Sequence, residues 1–155
     1  MPPDQDDVAA IRGLQQALAD AGVPTVLGGS ALLASLGLTT RVRDWDLVTD
    51  AEPDLVRAAL IRLGVDFREG RPTELFRSAA ALCFDLRGRQ VDLIVRFALR
   101  TPGGTVRIPA RPGGAWRGLE MARAQDWALA YALMGRAEKA AALERADPLA
   151  GGSVD

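Results

Sequence analysis

Three aspartates have the types and spacing that metal-dependent phosphoryl chemistry requires. Asp44 and Asp46 stand in Asp44-Trp45-Asp46, and Asp92 stands in the apolar segment 91–95. Alternate residues of a strand point to one face, so we expect Asp44 and Asp46 to project together. Mg²⁺ takes oxygen ligands, usually one or two carboxylates together with phosphate oxygens. Because close carboxylates repel one another unless a cation or a proton compensates them, the pattern indicates a cation site.

A turn of small residues precedes the pair of aspartates. It consists of Gly28, Gly29 and Ser30, and it follows an apolar segment typical of a short buried strand. Glycine lets a backbone approach a ligand closely, and the start of the helix expected next offers free N–H groups to a phosphate. The Ser30 hydroxyl offers a further hydrogen bond. Because no lysine follows the glycines, the turn does not match the phosphate loop of P-loop NTPases.

Each feature also has a purely structural interpretation. The two glycines can form an ordinary strand-to-helix turn, and Asp44 and Asp46 can form a solvated strand face. Asp92 lies in an apolar strand, where an unpaired charge is costly, so a structural role requires a buried cationic partner such as Arg87 or Arg96. Together, at this spacing, the three features favour the chemical interpretation. For Arg41 and Arg43, which flank the pair, a phosphate contact and a solvated loop both stay open.

Composition limits the classes of function that remain. The chain has 155 residues, 48% of them hydrophobic, and a net charge of −1. It has no histidine, which excludes mechanisms that need an imidazole, and its single cysteine, Cys83, permits no internal disulfide. No apolar run has the length of a membrane helix and no basic-then-apolar leader opens the chain, so we expect a cytoplasmic protein without a membrane partner. The charge argues against an extended nucleic-acid surface, while a local basic groove stays open.

Periodicity and turn residues predict a single domain over residues 1–146 and a disordered tail over 147–155. The expected helices cover residues 8–21, 30–38, 53–63, 116–134 and 137–146. The expected strands cover residues 25–27 and 44–49, a hairpin of 82–86 and 90–97, and a short strand at 105–108. In this arrangement Trp45, which alternates with the two aspartates, is expected to be a core residue.

The stretches 26–48 and 91–95 resemble the nucleotidyltransferase superfamily, which includes polymerase-β-like enzymes, minimal nucleotidyltransferases and AbiEii-type toxins. The motif of that superfamily is two apolar residues, Gly-(Gly or Ser)-Ser, an Asp-x-Asp strand, and an isolated Asp on a later strand. Here 13 residues separate Ser30 from Asp44, and the similar part spans residues 23–98, about half of the chain.

The resemblance implies an α+β fold: a nucleotidyltransferase-like mixed sheet of four or five strands, flanking helices and a C-terminal helical pair. It implies transfer of a nucleoside monophosphate from an NTP, with ATP first to consider, to a hydroxyl acceptor whose identity the sequence leaves open, a protein included. Asp44, Asp46 and Asp92 would be the catalytic residues and would bind Mg²⁺ or Mn²⁺. The residues that would bind the nucleotide are Gly28, Gly29 and Ser30.

The chain departs from AbiEii-type relatives in its C-terminal helices. Those relatives often carry a helical lysine after the sheet, followed by an Arg/Lys-Asp pair. Here Tyr131 stands in the first position, and the segment 136–139, which ends in Lys139, lacks the following Asp. No acceptor-binding domain is evident either. A second class of function therefore stays open: an antitoxin-like or regulatory binding module that keeps the fold and acts through a partner protein.

Overall fold

The computed structural model describes residues 3–146, so the tail predicted at 147–155 lies outside the described residues. The helices are α1 (Gln5–Asp20), α2 (Gly29–Ser35), α3 (Pro53–Arg62), α4 (Ala124–Leu133) and α5 (Ala137–Ala146). The strands are β1 (Val26–Leu27), β2 (Trp45–Thr49), β3 (Phe67–Glu69), β4 (Ala80–Leu86), β5 (Arg89–Val95), β6 (Ala98–Thr101), β7 (Gly104–Arg107), β8 (Pro112–Trp116) and β9 (Leu119–Ala122). None of the helices in the described range is both long and apolar enough to span a membrane.

Seven strands form one mixed sheet in the order β3-β4-β5-β2-β1-β9-β8, and β6 and β7 form a separate hairpin. At its centre β2 lies parallel to β5 and antiparallel to β1, and β1 lies parallel to β9. Antiparallel pairing joins the remaining neighbours. The α+β class predicted from the sequence is confirmed, and the sheet is larger than the four or five strands expected.

Of the additional strands of the sheet, β9 occupies a part of the chain where the sequence pattern predicts helix. Residues 116–134 do not form one helix: Trp116 ends β8, β9 follows, and α4 begins only at Ala124. Arg117 and Gly118 between these strands both have positive φ, 54° and 82°. Two central residues with positive φ define the type I′ turn that matches the twist of a two-residue hairpin. The turn therefore reverses the chain where a continuous helix was expected.

Local sequence accounts for most of the elements that were predicted. The hairpin of β4 and β5 turns at Arg87 and Gly88, which have φ values of 54° and 79°. The Asp85 carboxylate accepts a hydrogen bond from the Gly88 N–H at 3.2 Å. At the start of α3, the Glu52 carboxylate accepts from the backbone N–H of Leu55 at 3.1 Å, and Pro53 occupies the first turn.

The two faces of the central strands differ in character. Trp45 pairs with Val91 and Leu47 with Leu93, and all four side chains are buried. Trp45 is thus a core residue, as predicted. The residues between them point to the other face, because side chains alternate along a strand. That second face is where the candidate site lies.

Candidate active site

The parallel pairing of β2 and β5 brings two of the predicted site residues directly opposite each other. Asp46 on β2 is in register with Asp92 on β5, so both carboxylates lie on the same face of adjacent strands. Asp44 precedes β2 by one residue and is half-buried, as Asp46 and Asp92 are. The structure thus brings together the residues that the sequence separates by 46 positions, a juxtaposition that only the strand register could fix.

The pKa of Asp46 is raised by its burial and by the other carboxylates of the cluster. Burial, followed by the charges of Asp92 and Asp44 and a hydrogen bond with Asp92, raises the pKa of Asp46 from its ordinary value of 3.8 to about 7. Arg136 opposes the shift. A bound cation would oppose this shift, because it favours the charged form of the carboxyl.

The donor set fits a divalent cation of the Mg²⁺ type. Carboxylate oxygens are its preferred protein ligands, and it takes its remaining ligands from phosphate and water. Within residues 3–146 no three acidic, cysteine or histidine side chains already stand close enough to hold a metal ion by themselves. A bound nucleotide would therefore have to supply part of the coordination, which is how Mg²⁺ usually binds in phosphoryl-transfer sites.

A structural role for Asp92 finds no support in its neighbours. Its Oδ1 accepts a hydrogen bond from Gln90 Nε2 at 2.9 Å. Within the described range, neither arginine considered as a partner pairs with it: Arg96 Nε donates to a backbone carbonyl at 3.3 Å, and Arg87 lies 3.8 Å from carboxylates of α1. Neither Arg87 nor Arg96 therefore supplies the cationic partner that a structural role for Asp92 would require.

The glycine turn is packed too tightly for side chains. The Gly28 N–H donates to the Asp46 carbonyl at 2.9 Å, and a Cβ on Gly28 would collide with the Trp127 ring. Gly29 has a φ of +58°, and a Cβ there would collide with Asp46 Oδ2. The turn therefore places bare backbone directly against the Asp46 carboxylate.

The Ser30 hydroxyl makes two hydrogen bonds to the backbone of the loop before β2. It accepts from the Arg43 N–H at 3.0 Å and lies 3.4 Å from the Asp44 carbonyl, to which it donates. These bonds tie the start of α2 to the residues that precede Asp46. The hydroxyl thus positions Asp44, in addition to any contact with a nucleotide.

Gly29→Val is expected to impair nucleotide binding more than Ser30→Ala. A branched side chain at Gly29 is strained at positive φ, roughly 1–3 kcal/mol, and it collides with Asp46. We expect the Mg·ATP dissociation constant to rise by roughly tenfold or more. Loss of the Ser30 hydroxyl removes hydrogen bonds worth about 0.5–1.5 kcal/mol each. The Mg·ATP dissociation constants of both variants are measured by titration, after circular dichroism has shown that they fold equally. A larger rise in Ser30→Ala would mean that the hydroxyl, and not the backbone, makes the main contact with the nucleotide.

A basic pocket of about 340 Å³ is lined by residues of α2, of the loop before β2 and of α5. Its polar lining includes Ser30, three cations and one carboxylate: Arg41, Arg43, Lys139 and Glu138. Burial, followed by the charges of Arg136 and Arg43, lowers the pKa of Lys139. In the described part of the chain none of these cations forms an ion pair with a carboxylate.

Only part of this pocket is signalled in the sequence. Arg41 and Arg43 flank the aspartates, but the contribution of α5 was missed because it depends on how the C-terminal helices fold back. Lys139 Nζ lies 5.4 Å from the centre of the Tyr131 ring, which anchors it over α4. Lys139 is the only lysine of the chain, and this was the one sequence feature that could have pointed to it.

A larger pocket, of about 510 Å³, is lined by residues of β4, β5 and α4 and of the segment before β4. Asp46, Asp92 and Cys83 line it, and the rest of its lining is largely apolar. Cys83 is in register with Asp92 on the adjacent strand, so the three side chains form a row across β4, β5 and β2. Asp46 and Asp92 thus line the apolar pocket, and the basic pocket has a different lining.

Two solved structures share this fold. A Thermotoga maritima protein named as a nucleotidyltransferase superposes with a TM-score of 0.63 and 21% identity over 94% of each chain. The antibiotic-resistance factor ANT(2'')-Ia superposes with a TM-score of 0.61 and 17% identity over 92% of this chain and 85% of that one. The fold is thus nucleotidyltransferase-like, as the resemblance implied. No protein-family model and no curated protein sequence matches the chain.

Proposed function

We propose that the chain is a divalent-metal-dependent nucleotidyltransferase that moves a nucleoside monophosphate from an NTP, ATP first, to a hydroxyl acceptor. The observation that supports this most is the in-register pair of Asp46 and Asp92, with Asp44 two residues away and the Asp46 pKa raised to about 7. A carboxylate group in a cleft with such a shift is a candidate site for chemistry. The nucleotidyltransferase-like fold points the same way.

The residues take distinct roles in this proposal. Asp44 and Asp46 would hold Mg²⁺ or Mn²⁺ with the nucleotide, and Asp92 would complete a second metal site on the acceptor side. The metal, when bound, supplies positive charge to the phosphate oxygens and lowers the pKa of a hydroxyl beside it. Asp92 accepts the proton of the acceptor hydroxyl. The acceptor oxygen forms a bond to the α-phosphorus, the bond from that phosphorus to the bridging oxygen breaks, and pyrophosphate leaves with the electron pair.

The basic pocket suits the pyrophosphate part of the nucleotide. Within residues 3–146, Arg41, Arg43 and Lys139 form no ion pair although Glu138 also lines the pocket, and an anion would relieve the repulsion between Arg43 and Lys139. Arginine binds phosphate through two parallel hydrogen bonds and lysine binds it as a point charge. In this proposal Lys139 on α5 takes the place of the lysine that related sequences carry earlier in the chain.

Mg²⁺ or Mn²⁺ with ATP is expected to raise the melting temperature by about 5–10 °C at roughly 100 times the dissociation constant. A ligand that binds only the folded state contributes about 2.7 kcal/mol at that concentration, and each kcal/mol shifts the melting temperature by about 2–4 °C at this size. Asp46→Asn should abolish the shift. Asp20→Asn, on the exposed surface of α1, is the matched control and should retain it.

The same experiment separates the enzyme from the binding module. No shift with any NTP at millimolar nucleotide and metal would favour a module that acts through a partner protein. For the acceptor, the chain is incubated with lysate, metal and each NTP labelled on its α-phosphate. A product labelled by the wild type, and not by Asp46→Asn, identifies the molecule that receives the nucleotide.

A further inference from the structure

The apolar pocket beside Asp92 has the size and position of an acceptor site. It measures about 510 Å³, within the range of roughly 300–1,000 Å³ typical of small-molecule pockets. Asp92 and Cys83 line it, and Arg41, Arg43 and Ser30 line the other pocket. If the pyrophosphate group takes the basic pocket, the acceptor is the substrate that remains for this one.

The walls of the pocket favour a ring. Phe97 packs against Trp127 with ring centres 5.3 Å apart, and Trp127 packs edge-on against Tyr131 at 5.6 Å. These side chains line the pocket together with Phe76, which is 41% exposed although it is a large apolar residue. Aromatic side chains prefer offset or edge-to-face contacts with other rings. An occupant with a ring would cover the exposed face of Phe76 and complete the aromatic wall.

The charges of the lining favour an anion. Apart from Asp46 and Asp92, the only acidic lining residue in the described range is Glu69, and Arg57 already pairs with it through two hydrogen bonds of 2.9 Å. Two cations line the pocket, Arg71 on the segment between β3 and β4, and Arg136 after α4. A polycationic acceptor would meet these arginines and find no free carboxylate other than those of the metal site.

We propose that the acceptor is a small, ring-bearing hydroxyl compound with a negative charge, bound in this pocket with its hydroxyl toward Asp92 and its anionic group toward Arg71. The proposal rests on the function proposed above, since it assigns the second substrate of the same site. The acceptor proposal makes a separate requirement: the pocket must distinguish anionic from cationic compounds, which nucleotide binding alone does not produce.

Cys83 provides a reporter within the pocket. It is the only cysteine of the chain, it is half-buried, and it lies beside Asp92. The rate of its alkylation by iodoacetamide, followed by intact mass, reports occupation of the pocket. The probes are 4-hydroxyphenylacetate and tyramine, which share a ring and a hydroxyl and differ in the sign of their charge. Each is added at millimolar concentration to the wild type with Mg²⁺ and a non-hydrolysable ATP analogue.

We expect 4-hydroxyphenylacetate to slow alkylation of Cys83 several-fold and tyramine to leave the rate unchanged. Arg71→Gln should raise the concentration needed for protection by about tenfold or more, since it removes a charge-assisted hydrogen bond to the anionic group. Arg62→Gln, on the exposed surface of α3, is the matched control and should leave protection intact.

Three results would overturn the proposal: protection by tyramine equal to that by 4-hydroxyphenylacetate, protection unaffected by Arg71→Gln, or no protection by either probe. Full protection of Cys83 by the ATP analogue alone would also overturn it, because the pocket would then hold the nucleoside. The melting temperature of the same samples distinguishes the two levels of inference. If Mg·ATP still stabilises the protein, only the acceptor assignment fails; if that stabilisation is absent, the proposed function fails.

Discussion

Asp46→Asn is expected to stabilise the metal-free protein at pH 8 while it removes stabilisation by Mg·ATP. In the folded chain Asp46 lies against Asp92 and Asp44, and its pKa is about 7 against an ordinary value of 3.8. Ionising it without a cation therefore costs folding free energy. Asparagine keeps the size of the side chain and removes the charge. Asp46, which the proposed reaction requires, is thus expected to destabilise the metal-free folded protein.

The pH dependence follows from the direction of this shift. Below about pH 4 the carboxyl holds its proton in both states, and between pH 4 and 7 only the folded state holds it. Stability from this group is therefore present at low pH and is lost as pH rises through 7. One pKa unit is worth about 1.4 kcal/mol, so the full difference is about 2–4 kcal/mol once partial exposure is allowed for.

Melting temperatures measured from pH 5 to pH 8 without metal test this prediction. The wild type should lose stability across that range by several degrees more than Asp46→Asn, at about 2–4 °C per kcal/mol. Asp20→Asn should follow the wild type, because its carboxylate is exposed and accepts only from Gln16 on the same helix. Parallel profiles for the wild type and Asp46→Asn would contradict a strained carboxyl at this position.

Local signals were sufficient for the elements that carry the aspartates. The alternation around Trp45 predicts β2, and the apolar runs on either side of Arg87 and Gly88 predict the hairpin that contains Asp92. What these patterns do not contain is the pairing of β2 with β5, because parallel register depends on how the intervening chain crosses over. The motif resemblance implied that juxtaposition, and the structure has it.

The error in residues 116–134 has a physical origin. The segment that follows Gly118 is rich in alanine and leucine, which favour helix, and this outweighed the turn. Arg117-Gly118 repeats the dipeptide of Arg87-Gly88, and both pairs adopt the same positive φ values that a two-residue hairpin requires. The Arg-Gly turn signal thus occurs twice in the sequence, and a hairpin is predicted only at Arg87-Gly88. Its consequence is β9, which pairs with β1 and extends the sheet beyond the part of the chain that carries the motif.

Asp92→Asn is expected to lower nucleotide transfer by about 10²–10⁴-fold, the usual contribution of a general base. Its effect on Mg·ATP affinity should be small, within about threefold. The reason is position: Asp46 and Asp92 both line the apolar pocket, but Asp46 also lies against the Gly29 backbone, whereas Asp92 lies beside Cys83. The proposed work of Asp92 is therefore on the acceptor hydroxyl. Interactions that form only in the transition state raise the rate without tightening the binding of the substrate.

Asp46→Asn is the variant with which Asp92→Asn is compared. Asp46 lies against the Gly29 backbone at the nucleotide side of the cluster, so its loss should abolish both binding and transfer. Affinity is measured by titration, and transfer by product formation in lysate from ATP labelled on its α-phosphate, a readout that works whatever the acceptor is. Equal loss of affinity in the two variants would remove the division of roles between the two carboxylates. Full transfer by Asp92→Asn would place Asp92 outside the chemistry and leave the metal site to Asp44 and Asp46.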